Sequence, residues 1–380
     1  MADMSASLCE QVRDAKADNT PLNIIGGNTK AFIGREAIGS PVSLSGHSGV
    51  TAYHPSELVI TARAGTRITE LQSILAENNQ MLVGEPPAFE GKATLGGTVA
   101  CNVSGASRPF YGSLRDAILG VTLINGFGEH LRFGGQVMKN VAGYDLSRLQ
   151  AGAMGAFGIL TDISLRVMPK PEATETLMLE MDTQQAITVM RKWVISGYPL
   201  SGAAWVDGNL YIRLAGSAPN VAVYSNNIGG EKLSHQSLFW RSIRNFRHPF
   251  FSHDGHLYRL SIDASAPHIT QFEHTLVDWA GNVRWVFTDE PHESLTQIAK
   301  QHGGHVARYR SKAELSGSRR NDNSECFNAL SPPIQHLHQS LKAAFDPQHL
   351  FNPGRLYSWL GVERLAGERL GVDRQGGESQ

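Results

Sequence analysis

Residues 94–112 read TLGGTVACNVSGASRPFYG. Gly96, Gly97, Gly105 and Gly112 stand among small residues, and no charged side chain precedes Arg108, so the backbone here can approach a bulky ligand closely. Amides left unshielded by glycine form a concavity for an anion, which suits the pyrophosphate of a nucleotide cofactor. Taken alone, the stretch is equally well a glycine-rich loop without a ligand.

A second such turn lies upstream. Residues 22–25 form a short apolar strand that runs directly into Gly26-Gly27-Asn28-Thr29-Lys30, and a turn after a strand is where α/β arrangements place ligands. Lys30 adds a positive charge for a phosphate. The turn is neither a P-loop nor a dinucleotide fingerprint, because G-K-[ST] and G-x-G-x-x-G are both missing. Between the two turns, residues 58–62 read as a β-branched strand, 68–78 as an amphipathic helix and 81–83 as a strand. Beyond the second turn come a hairpin (119–125 and 129–133), the spaced glycines Gly152, Gly155 and Gly158, and a strong strand at 159–167 closed by Pro169 and Pro171. Two glycine-rich turns arriving on successive strand units weaken the ligand-free explanation.

From Thr174 the glycine density falls. The pattern becomes strand 176–181, helix 184–196, hairpin 203–207 with 210–214, and helix 221–228, continued by 257–262, 282–288 and 293–302. That order predicts an open antiparallel sheet with helices on one face. Residues 311–325 are polar, Pro332 and Pro333 open a helix through Phe345, and 345–356 form a proline-rich turn. We expect a nucleotide-cofactor domain at 1–172, a cap at 173–325, a segment returning to the first domain at 326–360 and a disordered tail at 361–380.

Composition narrows the function. The 380 residues carry a formal charge of −1, which gives no steering toward nucleic acid. Cys9, Cys101 and Cys326 form no C-x-x-C pair, so an iron–sulfur cluster and a structural zinc are both unsupported and a reduced cytoplasmic protein is expected. No run approaches the roughly 20 apolar residues of a membrane span.

GGNTKAFIG (26–34), TLGGTVACNVSG (94–105) and KNVAGYDLSRLQAGAMGAFGILTDISLRVMP (139–169), in this order and spacing, resemble the FAD-binding domain shared by vanillyl-alcohol oxidase and p-cresol methylhydroxylase. With FDPQHLFNPGRL (345–356), the chain is similar to the FAD-binding subunits of bacterial glycolate oxidase from about residue 21 to 356. KNVAGYDLSRL is the specific signal. The resemblance implies an α+β fold in which a two-subdomain p-cresol methylhydroxylase-type FAD-binding domain is joined by an antiparallel-sheet α+β cap. It implies pyrophosphate contacts at Gly26, Gly27, Asn28, Thr29 and Lys30, pyrophosphate and flavin contacts at Thr94, Gly96, Gly97, Thr98, Asn102 and Gly105, and adenosine contacts at Gly155, Gly158 and Ile159, with Ile163 nearby. It also implies oxidation of glycolate or D-lactate by hydride transfer to flavin, within a complex containing a larger FAD-bearing subunit and an iron–sulfur subunit. Any contact with the inner membrane would then run through those partners.

Covalent members of the family use a histidine in or near the first loop, and none lies between Gly26 and Arg35, so dissociable FAD is expected. Cys101 is the one alternative attachment point. The histidine- and glutamate-rich metal motif of the larger subunits is missing. His253-Asp254-Gly255-His256 reads as a polar turn, and His336 and His338 face apart on a helix, so no metal is expected. Oxidising a 2-hydroxy acid requires a base, a cation for the carboxylate and an electron acceptor. Arg241, Arg244, Arg259 and Arg355 are the candidate carboxylate ligands, and the sequence names no base. A stand-alone hydroxy-acid dehydrogenase and a flavin-binding subunit without its own turnover are the alternatives.

Overall fold

The computed structural model describes residues 3–135, 145–312 and 324–361. Residues 139–144 of the KNVAGYDLSRL motif, most of the polar stretch at 311–325 and nearly all of the expected tail lie outside the described residues.

The first helix, Ser5–Ala17 (α1), buries Leu8, Val12 and Ala15, one apolar residue per turn, and stops before Pro21. Strand Leu22–Ile25 (β1) pairs in parallel with Ser40–Ser43 (β2). Two strands make a poor sheet alone, and the far end of the chain supplies a third neighbour. Leu22 bridges Phe351; its amide donates to Leu350 O at 2.7 Å, and Asn352 N donates back to Leu22 O at 2.9 Å. Leu8, Val12, Leu22, Val42, Leu350 and Phe351 share one core.

The second sheet contains Val50–His54 (β3), Val59–Arg63 (β4), Gln80–Leu82 (β5), Ile118–Ile124 (β6), His130–Gly134 (β7) and Ile159–Pro169 (β8). It is antiparallel in the order β3-β4-β8-β6-β7, with β5 on the far end of β8. Helix Ile68–Ala76 (α2) covers it through Leu71 and Leu75, which bury beside Ile60, Ile163 and Leu165. Each such leucine contributes about 1.5–3 kcal/mol.

The glycine-rich stretch is not the loop its composition suggests. It folds into two short helices, Leu95–Cys101 (α3) and Arg108–Tyr111 (α4), and a third, Leu114–Ala117 (α5), follows directly. Leu95 N donates to Thr66 O and Gly96 N to Ala64 O, so α3 lies against the end of β4. A Cβ on Gly96 would sit 2.7 Å from the Ala64 methyl, and this close approach is what the glycine permits. Helix Leu146–Leu149 (α6) precedes the glycines before β8.

The cap is one eight-stranded antiparallel sheet. Its strands are Ala173–Glu180 (β9), Leu200–Val206 (β10), Asn209–Gly216 (β11), Glu231–Lys232 (β12), His256–Ser261 (β13), Thr275–Asp278 (β14), Val283–Thr288 (β15) and His305–Arg310 (β16), in the order β12-β9-β11-β10-β14-β15-β13-β16. Alternation along the strands sorts two faces. Leu210, Ile212 and Leu214 pack under Thr183–Ile195 (α7) and Ala218–Ile228 (α8), while Leu260, Val286 and Val306 pack under His292–Gln301 (α10). The intervening residues, Trp285, Phe287 and Tyr309 among them, face the other way and join Ile33, Val103 and Met154 from the first half in a shared core. Helix Gln236–Arg244 (α9) lies on this inner side through Trp240 and Ile243, so the expectation of helices on one face holds for three of the four cap helices.

Helix Pro332–Phe345 (α11) returns the chain to the first half. Its buried Lys342 donates to Asp346 Oδ2 at 2.7 Å, Ala156 O at 2.7 Å and Phe351 O at 3.1 Å, which fixes the turn that follows.

Candidate functional site

A narrow slot of about 80 Å³ lies where β1 ends. Its walls are Gly26–Lys30 from the first turn, Thr94, Gly96 and Gly97 at the start of α3, Gly155 and Gly158 before β8, and Asn352 and Arg355 from the returning segment. Asn352 joins the parts: its Oδ1 accepts from Ile24 N at 2.9 Å and its Nδ2 donates to Met154 O at 2.6 Å. Gly27 is fixed by the protein itself, since a Cβ there would fall 1.8 Å from Lys92 O. Gly97 differs: its Cβ would meet only Thr94 Oγ1, at 3.2 Å, leaving that backbone open to the slot.

Lys30 is 5% exposed, and among the described residues its ammonium donates only to Thr29 Oγ1 at 3.2 Å and Thr98 Oγ1 at 3.4 Å. Burial pushes its pKa down, and among the described residues no carboxylate forms an ion pair with it. Thr94 Oγ1 and Arg355 Nε are likewise buried without a hydrogen-bond partner. A buried cation without a counter-charge costs several kcal/mol. The Arg355 guanidinium keeps one contact among the described residues, Nη2 donating to Lys30 O at 3.5 Å. A lysine without a counter-charge, a guanidinium with its Nε unpartnered and an unpartnered hydroxyl around a common slot fit a phosphate-type anion such as the pyrophosphate of FAD.

Cys101 and Met154 line this slot and also a second, much larger cavity of about 1140 Å³ between the inner face of the cap and the glycine segments. Arg108, Arg115 and Arg148 enter it from the first half and Arg259, Trp279, His305 and Tyr309 from the cap. The strand register explains the cap group: Arg259 pairs with Ala307 and Ser261 with His305, so side chains at 259, 261, 305 and 309 share one face. Arg259 Nη1 donates to Tyr309 Oη at 2.6 Å, while Arg259 Nε has no partner. Its guanidinium carbon lies 5.7 Å from the Trp279 ring centre, and that of Arg108 lies 4.5 Å from the same ring. Burial, then repulsion from Arg259, pulls the Arg108 pKa down. Burial, then the charges of Arg259 and Arg108, shifts the His305 pKa the same way, although its side chain stays exposed on the cavity side.

Most of the residues expected from the sequence converge here. Gly26, Gly27, Asn28, Thr29, Lys30, Thr94, Gly96, Gly97, Gly155 and Gly158 line the slot, Thr98 touches Lys30 from behind, and Asn102 lines the large cavity with an unpartnered Oδ1. Gly105, Ile159 and Ile163 do not line either cavity. Gly105 packs against Glu85 and Arg244, and the two isoleucines are fully buried in cores. Of the four arginine candidates, Arg355 lies in the slot and Arg259 in the large cavity. Arg244 is buried near Glu85 and Arg213, and Arg241 borders a separate groove by Phe32 and Phe89. Sequence reasoning missed Arg108, Trp279, His305 and Tyr309. Arg108 had a signal, as the first charge after a long uncharged glycine stretch; the other three are assembled only by strand pairing. His253 and His274 stack at 3.7 Å, and among the described residues no group of three metal-ligating side chains occurs.

A family model for an FAD binding domain matches residues 2–134. The chain is 42% identical over 358 residues to the glycolate oxidase subunit GlcE of Escherichia coli (strain K12), covering 94% of this chain and 99% of that protein. It is 35% identical over 120 residues to the glycolate oxidase subunit GlcD of Bacillus subtilis (strain 168), a match covering 31% of this chain and 26% of that one. Among solved structures, p-cresol methylhydroxylase with substrate bound superposes with a TM-score of 0.68 at 15% identity, over 93% of this chain and 87% of that one. That last likeness is one of fold.

Proposed function

The chain belongs to the family of the glycolate oxidase subunit GlcE, and from that premise we propose that it is the FAD-bearing subunit of a complex that oxidises glycolate to glyoxylate. The protein is an FAD-dependent oxidoreductase acting on a hydroxy acid, and it works within a multi-subunit glycolate oxidase. The observation that carries the cofactor assignment is the buried, carboxylate-free Lys30 beside the unpartnered Thr94 Oγ1 and Arg355 Nε. These groups would hold the pyrophosphate, and Gly97 would let it approach the backbone. The absence of a histidine in the first loop supports dissociable FAD.

Converting glycolate to glyoxylate removes a hydride from the alcohol carbon and a proton from the hydroxyl. FAD, when bound, supplies the two-electron acceptor. His305, open to the large cavity and with its pKa held down by partial burial and two arginines, has a ring nitrogen to take the hydroxyl proton. With three cysteines far apart and no C-x-x-C pair, this chain offers no ligand set for a cluster of its own; electrons from its flavin would pass to an iron–sulfur subunit that joins the larger flavin subunit in the complex. Among the described residues no helix is long and apolar enough to cross a membrane; attachment to the inner membrane would run through partners, with the chain itself in the cytoplasm.

The test is an anaerobic absorption spectrum of the FAD-loaded chain, assembled with the larger flavin and iron–sulfur subunits, before and after glycolate. Bleaching of this chain's flavin, isolated by loading the partner with a non-reducible analogue, is expected. Flavin that stays oxidised in the whole complex overturns the assignment in favour of a structural subunit.

A further inference from the structure

The large cavity contains more positive charge than its own walls neutralise. Arg108, Arg115, Arg148 and Arg259 line it, against one lining carboxylate, Asp263. Asp263 is turned away, accepting from Ser265 N and Ser265 Oγ at 2.7 Å, and Arg148 is satisfied by Asp145 at 3.1 Å. Arg108 has neither hydrogen bond nor ion pair among the described residues, and Arg259 reaches only the Tyr309 hydroxyl. The two come from different halves of the protein, one on α4 and the other on β13, and both approach the indole of Trp279. Asp116 is the one carboxylate that raises the Arg108 pKa, and the Trp279 ring attracts both cations, but the two guanidiniums still repel each other, and an anion beside them would relieve that repulsion.

We propose that Arg108 and Arg259, steadied by Trp279 and Tyr309, form a carboxylate-binding site for a small 2-hydroxy acid within this chain. A guanidinium offers paired N–H donors that match the two oxygens of a carboxylate, and the ring beneath restricts its rotation. The site shares its cavity with His305, which places the carboxylate end and the proton acceptor in one chamber. It follows that substrate is recognised by this subunit and not by its larger partner alone. This deepens the glycolate oxidase reading and rests on it.

The probe is oxalate, which has the carboxylates of a hydroxy acid and no hydrogen to give up. Its binding to the full chain is measured by calorimetry with and without FAD, alongside FAD content. Wild type is expected to bind oxalate, and Arg108→Met and Arg259→Met each to weaken it about tenfold or more at unchanged FAD content. Arg241→Met, outside the cavity, retains full affinity. Should a methionine variant fail to fold, Arg108→Lys and Arg259→Lys, which keep charge and lose the fork, are expected to weaken binding to a smaller degree. Equal oxalate affinity in wild type and all arginine variants, or none in a wild type carrying its FAD, overturns the site. A chain that binds oxalate but never FAD leaves the arginine site standing and overturns the flavin reading beneath it.

Discussion

Glu85, in the segment between β5 and α3, and Arg213, in cap strand β11, meet at 2.8 Å between Oε2 and Nη2. Arg213 is held for this contact by Ser201, whose backbone oxygen and hydroxyl take its other donors at 2.7 and 2.9 Å. Burial alone would raise the Glu85 pKa, but Arg213 and then Arg244 outweigh it and the net shift is downward. One carboxylate thus balances two guanidiniums at the junction of the halves.

Glu85→Gln leaves Arg213 and Arg244 facing each other. Breaking a fully buried pair costs about 3–5 kcal/mol; this one keeps some solvent, so about 2–3 kcal/mol is expected in urea unfolding, with FAD content falling as the cap loosens. An unchanged midpoint would show that the pair does not hold the halves together.

Lys30→Met tests the slot from the opposite direction. It removes a buried charge that the bare chain does not neutralise, so the FAD-free protein should be no less stable than wild type. FAD affinity should fall about 10- to 100-fold, as expected for a lost charge-assisted contact. Equilibrium dialysis against FAD gives the affinity and thermal unfolding without cofactor gives the stability. Wild-type affinity in the variant would remove Lys30 from the site.

FAD should leave with denaturation. Acid precipitation of the loaded chain is expected to put all flavin colour in the supernatant. Colour in the pellet that disappears in Cys101→Ser would instead mark a thioether at that residue, which lies where the two cavities join.

His305→Gln is expected to lower kcat about 100-fold or more in the assembled complex, with oxalate affinity kept within a few-fold. Because burial and two arginines depress its pKa, the wild-type rate should fall on acidification only below the ordinary histidine range. A variant with full kcat removes His305 as proton acceptor.

Asp278 predicts a stability effect of the opposite sign from an ordinary surface carboxylate. Burial pushes its pKa up to about 7, with Glu85 adding to the shift and the Trp279 amide and Arg213 opposing it. The folded chain therefore keeps a proton that the unfolded chain releases between its ordinary value near 4 and 7, and stability falls as pH rises through that window. At about 1.4 kcal/mol per unit this amounts to a few kcal/mol. Asp278→Asn keeps the acceptor for Trp279 N and should gain on wild type by that amount between pH 4 and 8. A pH-independent difference in urea unfolding would contradict it.

The sheets were legible wherever a strand carried its own signal. Residues 22–25 and the start of β8 at Ile159 are bounded by glycine or proline and read correctly, as did the hairpin of β6 and β7. Strand β14 escaped notice because it is four residues long, and β16 because HVARYR carries two arginines, one of them the buried Arg308, which mask its apolar pattern. The phosphate-type slot was legible because it is built from backbone, which glycine announces locally. The arginine site was not, since Arg108 and Arg259 are brought together only when β13, β16 and the Trp279 turn have paired. Helix α3 was read as loop because its glycines look like flexibility, whereas Gly96 serves contact with Ala64.

Asn352 also sets an order of events during synthesis. The residue that ties Ile24 to Met154 leaves the ribosome after the whole cap sheet, and Arg355 follows it. A nascent chain that has already made both glycine turns still lacks one wall of its slot. The slot that retains a flavin is therefore complete only after the cap has been translated.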